Sequence, residues 1–259
     1  MLFRSFGDYI QFARFTGLLR RNGLARLTLV CAKPLQALFE TLEGVDVVVT
    51  DDAALPAHDF WTFHMSLPLY LRTVLETIPA AVPYLHAPPQ RVDRWRHCLP
   101  GQGFKVGLVW KGRPTHKNDA KRSLPGLSSL APLWSVPGVS FVSLQKWQGE
   151  EEAHQSRPDQ PIVPLGDAIL DFADTAAIVA QLDLIVCVDT AIAHLAGALG
   201  KPCWVLLPAV GTDWRWLLDG IDSPWYPTVR LFRQSNRDCW RETVIEVAAA
   251  LRARLDGQA

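Results

Sequence analysis

The sequence predicts an α/β fold with mostly parallel strands, built as two halves joined by a proline-rich crossing. Three observations predict it. Apolar runs of strand length alternate with helix-period patterns along most of the chain. Prolines at 79, 83, 88, 89 and 100 interrupt that alternation once, in a stretch with little periodicity. The stretch "CVDTAIAHLAGALGKPCWVLLP" (187–208) reads as strand, small-residue helix and strand, the unit from which parallel sheets are made.

The elements follow in order. "GDYIQFARFTGLLRRNG" has helical spacing and ends at Gly23. "RLTLVCA" (26–32) and "VDVVVTD" (45–51) read as strands, with the helical pattern "KPLQALFETL" between them. Inside the crossing, Val92–His97 reads as a short charged helix. The second half opens on "FKVGLVWKG" (104–112), a buried strand, followed by the polar loop "RPTHKNDAKRS" and a helix "GLSSLAPLWSV". "VSFVSLQKW" is the next strand, and "GEEEAHQ" the start of an acidic helix. "DFADTAAIVAQLD" is helical, "LIVCVD" a strand, "TAIAHLAGALG" a helix and "PCWVLLP" a strand. "RETVIEVAAALRARL" closes the chain as a helix. The expected division is 1–100 and 101–259. No internal repeat or low-complexity segment is read.

Bulk properties narrow the function. The chain has 259 residues, 49% of them apolar and 20% charged, as in soluble globular proteins that bury a large core. Lys+Arg and Asp+Glu both number 26. A net charge of zero argues against nucleic-acid binding through a broad basic field, but not against a local anion pocket. The five cysteines are scattered, without a CxxC pair or metal-ligand spacing, so no metal site and a reducing compartment are expected. "MLFRSFGDYIQFARF" lacks the apolar core and cleavage site of a signal peptide. The most apolar stretch, 191–211, is broken by His194, Lys201 and Pro202 before the ~20 residues a membrane helix needs. The expected location is the cytoplasm.

Polar residues gather at the predicted carboxyl ends of strands, where open parallel sheets bind ligands and helix N-termini present N–H groups. Asp189-Thr190 stands at one such junction, with small Ala191 beside it and His194 one turn into the helix. An anion such as a diphosphate fits there; so does a plain N-cap followed by a core histidine. The loop with Lys111, Arg113, His116, Lys117, Lys121 and Arg122 follows another strand, and is read as phosphate-binding or merely solvated. Gln145-Lys146 end a third. Asp8, after Gly7, is read as an N-cap on local grounds, and as a general base if the two halves face each other across a cleft. "TDWRWLLDGIDSPWYPTVRLFRQ", containing Trp214, concentrates aromatic and Arg side chains, as a base or sugar pocket does, or as tryptophans packed beneath a loop do.

"VDTAIAHLAGALGKPCWVLLP" followed by "DWRWLLDGIDSPWYPTVRLFRQ" resembles the glycosyltransferase domain that follows tetratricopeptide repeats in many bacterial proteins. That domain is similar to the ADP-heptose:lipopolysaccharide heptosyltransferases of glycosyltransferase family nine, and more distantly to O-linked N-acetylglucosamine transferases. "GDYIQFARF", "VGLVWKGRPTHKNDAKRSLP" and "VSFVSLQK" match other segments of the family, so the resemblance runs from Gly7 to about Leu251. It implies a GT-B fold, two Rossmann-like domains facing a cleft, with the N-terminal one abbreviated here. It implies a nucleotide diphosphate sugar as donor substrate, no cofactor and no metal. The acceptor is unnamed: a protein, a glycan or a lipid-linked glycan, at the periphery of the inner membrane in the last case. By resemblance, Asp8 is the general base. Asp189, Thr190, Ala191 and His194 form the donor motif, with Ala191 where heptosyltransferases usually carry Gly. Lys121 or Arg122 falls near the family's phosphate-binding lysine, and Lys146, preceded by Gln145, is similar to the lysine of O-linked transferases that meets the diphosphate. Gln145 and Trp214 are expected in the donor site with them. A domain that binds a nucleotide sugar or a protein without turnover, and a sugar-nucleotide 2-epimerase-like isomerase, are the competing readings.

Overall fold

The computed structural model describes residues 5–155, 157–237 and 239–257. The first helical pattern forms α1 (Phe6–Phe12), a 3-10 turn (Ala13–Phe15) and α2 (Thr16–Arg21). The chain leaves through Gly23 at φ +92, a left-handed conformation that costs glycine nothing. β1 (Thr28–Val30), α3 (Gln36–Phe39) and β2 (Val47–Val49) follow, and the two strands pair in parallel as a small sheet. Short 3-10 turns and α4 (Leu67–Tyr70) lead to the crossing. There α5 (Pro89–Arg96) begins three residues earlier than expected, because proline at the first helical position has no N–H to lose.

The second half forms a six-stranded, all-parallel sheet from β3 (Phe104–Val109), β4 (Val139–Ser143), β5 (Ile162–Pro164), β6 (Leu184–Val188), β7 (Cys203–Leu207) and β8 (Val229–Arg233). The order is β5-β4-β3-β6-β7-β8, so the winding reverses between β3 and β6. Val109 pairs with Cys187 at that reversal, which sets the loops after the two strands side by side. The connecting helices are α6 (Asp119–Arg122), α7 (Glu150–His154), α8 (Phe172–Val179), α9 (Ala191–Ala198) and the terminal α10 (Arg241–Leu255).

Further differences from the sequence reading include the short α6 inside the expected polar loop. Leu127–Ser135 is a 3-10 helix rather than an α-helix, and Pro132 inside it supplies no amide N–H for an α-helical bond. β5 was not foreseen; it is three residues long and ends on Pro164, which an edge position tolerates. β8 lies inside the turn-rich aromatic segment as an edge strand, and the adjacent Leu231-Phe232 breaks the strict alternation that marks a strand.

α8 and α9 are buried from two sides. One side packs with Ile185, Cys187 and Val205 of the large sheet and with Phe12 and Phe15 of the first half. Through Ala173, Ala176, Leu195 and Ala198 they also share a core with Leu29, Leu35 and Phe39 around the small sheet. This double burial explains the alanine-rich sequence of both helices. The opposite face of the large sheet is closed by α10 and the 3-10 segment, over Leu108, Val186 and Leu206. Arg91 of α5 reaches buried Asp174 of α8 at 2.7 Å, and the Trp95 indole N–H donates to the same carboxylate at 3.0 Å. Among the described residues no helix is long and apolar enough to cross a membrane.

At Gly197 a Cβ would lie 2.3 Å from the Tyr226 ring, against which α9 rests. Gly197→Ala is therefore expected to destabilise the fold by about 1–3 kcal/mol, despite alanine's better helix propensity. Urea unfolding measures it; unchanged stability would show that the ring retreats without cost.

Candidate functional site

A cleft of about 790 Å³ opens at the carboxyl ends of β3, β4 and β6, where the sheet order reverses. Three helix N-termini converge on it: Ser5–Asp8 of α1, Asp171 and Phe172 of α8, and Thr190 and Ala191 of α9. Two have capped ends. Asp171 accepts the Asp174 N–H at 2.9 Å, and the Thr190 hydroxyl accepts the Ile192 N–H at 3.4 Å. Lys111, Arg113, Lys117, Arg122, Lys146 and Arg215 line the cleft against Asp8, Asp171, Asp189 and Asp213. In a chain of zero net charge this is a local excess of cations, added to three positive helix ends.

The loop after β3 is folded back on itself. Gln145, wholly buried at the end of β4, accepts the N–H groups of Trp110 and Lys111, both at 2.9 Å. Its amide nitrogen donates to the carbonyls of Lys111 (3.1 Å) and Gln148 (2.8 Å). Arg122 donates to the carbonyl of Asp189 at 2.8 Å and ion-pairs Asp119 at 3.3 Å, joining this loop to the end of β6. Gly112 permits that arrangement, since a Cβ there would sit 2.5 Å from Asp119 Oδ1 and 2.7 Å from the Arg122 guanidinium. Lys111 pairs with Glu152 at 3.1 Å. Lys146 donates to the Gly166 carbonyl at 2.6 Å. Arg113 and Lys117 have no ion-pair partner among the described residues and are exposed.

His194 is buried between rings. It stacks on Trp216 at 5.3 Å, and its Nδ1 lies 3.0 Å from the Tyr226 hydroxyl. Its Cδ2 is so near α1 that only glycine fits at position 7, where a Cβ would be 2.8 Å away. Burial, then the Arg215 and Arg14 guanidiniums, push its pKa well below the ordinary histidine value, so the ring is neutral. The Asp189 carboxyl is pushed up by burial. The Trp216 indole N–H, directed at the carboxyl, opposes that rise.

Asp8 sits in the first turn of α1, with Arg215 Nη2 donating to its Oδ1. Burial raises its pKa; Arg215 and His116 oppose the rise and Asp213 adds to it. The expected N-cap role is corrected: Ser5 holds the cap position, and the Asp8 side chain turns to the cleft instead.

Asp8, Arg122, Gln145, Lys146, Asp189, Thr190, Ala191, His194 and Trp214 all line the cleft. Lys121 does not. It points to a separate depression with Pro208, Val210 and Gln234, since neighbours on the short helix α6 face different ways. Between Lys121 and Arg122, the structure puts Arg122 in the cleft. Gln145 differs from expectation in another way, because its amide is saturated by backbone and acts as a brace for the loop. The sequence reading missed Asp213, Arg215 and Trp147. The first two stood inside the aromatic segment but without a partner to single them out. Trp147 lines the cleft at φ +63, a left-handed conformation uncommon for so bulky a residue.

Residues 139–206, from β4 to β7, match the family model of glycosyltransferase family 9 (heptosyltransferase). This family 9 segment includes Gln145, Lys146 and the whole Asp189–His194 motif. Protein FlbA of Caulobacter vibrioides is 34% identical over 201 residues, covering 75% of this chain and 33% of that protein. The chain thus spans about a third of the length of that relative. E. coli ADP-heptose lps heptosyltransferase II superposes with a TM-score of 0.63 at 14% identity, covering 98% of each chain. The family 9 glycosyl transferase from Veillonella parvula gives 0.61 at 12%, over 90% of this chain and 84% of that one. E. coli heptosyltransferase WaaC with ADP gives 0.59 at 12%, over 99% and 98%. At these identities the likeness shows the fold, the parallel α/β architecture of the GT-B heptosyltransferases.

The neutral His194 has a consequence for stability. The unfolded chain takes up a proton at this residue near pH 6.5, and the folded protein does not. Stability therefore falls as pH drops below about 6.5, with this group adding up to about 1.4 kcal/mol per pH unit. In His194→Gln that contribution is absent, so urea unfolding at pH 7, 6 and 5 should show a shallower decline than wild type. Equal declines would mean that the ring takes up its proton in the folded state.

Proposed function

We propose that the cleft binds a nucleotide diphosphate sugar and that the protein transfers the sugar to an acceptor hydroxyl without a metal. The observation that carries this is the meeting of three helix N-termini and an excess of Lys and Arg around a half-buried aspartate. The family 9 segment supports it, because it supplies two of the strand ends that form the cleft. In this reading residues 101–259 are the donor side and 1–100 the acceptor side of the domain. Tetratricopeptide-repeat association, a likeness to O-linked transferases and a cytoplasmic place belong to the same proposal.

Each residue then has a task. Asp8, whose proton affinity burial has raised, accepts the proton of the acceptor hydroxyl as its oxygen attacks the anomeric carbon. The bond from that carbon to the diphosphate breaks, and the leaving diphosphate carries away the electron pair. Arg122, Lys146 and the N–H groups at the start of α9 stabilise that charge in a partly water-excluded site. Nδ1 of neutral His194 lies 3.0 Å from the Tyr226 hydroxyl; in this reading the hydroxyl donates, and the ring presents an Nε2 proton as a further donor. Trp214, exposed at the rim and stacked edge-on to Trp225, offers a flat face to the base or sugar.

A nucleoside diphosphate, beginning with ADP and extending to UDP, GDP, CDP and TDP, is expected to raise the melting temperature. Occupancy at 100-fold over the dissociation constant adds about 2.7 kcal/mol. No shift with any of them at millimolar concentration would remove the donor-site reading.

Asp8→Asn keeps size and hydrogen bonding but cannot accept the proton. It should leave nucleotide affinity close to wild type and lower transfer, or donor hydrolysis with water as acceptor, by at least about 10²-fold. Wild type that binds donors yet consumes none would establish the binding-only domain instead. A changed sugar on an intact nucleotide would establish the isomerase.

A further inference from the structure

Arg215 is the residue on which the two sides of the cleft meet, and no task above uses it. It lies 207 positions from Asp8 in sequence and is buried, its side chain only 9% exposed. Its Nη1 donates to both carboxylate oxygens of Asp213 at 2.9 Å, and its own backbone N–H donates to Asp213 Oδ1 at 3.0 Å. The guanidinium also lies over the Trp214 ring at 5.0 Å and the Phe12 ring at 5.7 Å. One end of the fork is thus fixed within a single turn of chain, and the other projects Nη2 onto Asp8 Oδ1. Asp8 Oδ2 accepts no hydrogen bond among the described residues, and the side chain lines the cleft.

We infer that Arg215 is a positioning residue for Asp8: immobilised by Asp213, its guanidinium holds one oxygen of the Asp8 carboxylate and leaves the other turned to the acceptor hydroxyl. The inference deepens the proposed function and rests on the base role given there to Asp8. Only a planar fork can grip two carboxylates at fixed relative positions, so lysine would supply the charge without the geometry. The charged groups facing Asp8 are Arg215 and Asp213 from the 213–216 turn and His116 from the loop after β3. Burial and Asp213 favour the protonated acid, and Arg215 is the stronger of the two groups that oppose them. Without Arg215 the base would stay protonated to higher pH.

The test is a ¹³C titration of the Asp8 carboxyl in the full chain, comparing wild type with Arg215→Gln and Arg215→Lys. Circular dichroism and urea unfolding establish that each variant is folded. Arg215→Gln should raise the Asp8 midpoint by about one unit or more, the size of effect an adjacent opposite charge exerts. Arg215→Lys should raise it less. In the donor-consumption profile the acid limb should move to higher pH by the same interval. The plateau rate should fall in both variants, because the lysine lacks the fork. An unchanged Asp8 midpoint in folded Arg215→Gln overturns the inference. If that variant does not fold, a wild-type midpoint together with a wild-type plateau in Arg215→Lys overturns it. A shifted midpoint in a protein that consumes no donor upholds the Arg215–Asp8 coupling and removes the base role of Asp8.

Discussion

Everything in the cleft depends on how closely α1 approaches α9. The absence of a side chain at Gly7 lets the first turn of α1 rest against the His194 ring, and the absence of one at Gly197 lets the same helix α9 rest against Tyr226. Two missing methyl groups thus seat α9 between the first half and the aromatic turn that follows β7. Packing at this density leaves no room for adjustment, so the contact fixes positions rather than merely adding burial. It brings Asp8 to Arg215, and it places the start of α1 beside the starts of α8 and α9.

The price of that convergence is buried charge, and the structure offsets it unevenly. Arg14 is buried, and among the described residues no carboxylate pairs with it. Its guanidinium donates to the carbonyls of Gln11 (2.9 Å), Pro79 (3.1 Å) and Trp225 (2.6 Å) and lies over the rings of Tyr84, Trp225 and Tyr226. Carbonyl dipoles and aromatic faces replace its water. The uncompensated positive charge is one reason that His194 stays neutral. Arg215 is treated differently, with two carboxylates upon it. Both cations therefore act on the histidine, Arg215 more than Arg14, and Arg215 acts on the acid as well.

Much of this was legible in the chain. The Asp189–His194 stretch announced a strand end, a capped helix and a small-residue interface, and each is present. The polar groups after β3, β4 and β6 share one rim because parallel strands put every carboxyl end on the same side. Alternation alone forecasts that much. Position within the rim was a different matter. Lys121 and Arg122 are equivalent on paper, and only the orientation of α6 separates them. Gln145 looks like a ligand contact until the backbone groups that saturate it are seen.

The sequence by itself determined the class of fold, the strand-end location of the cleft and much of its lining, because these follow from local periodicity and from the geometry common to all open parallel sheets. Tertiary structure alone decided the pairing of Asp8 with Arg215, the neutrality of His194 and the bracing role of Gln145. Each of these is a contact between residues distant in the chain, or a consequence of burial. No local pattern encodes which charge a folded chain will bring to a buried acid, and the 207 positions that separate Asp8 from Arg215 are closed by tertiary packing, that of α1 on α9 included.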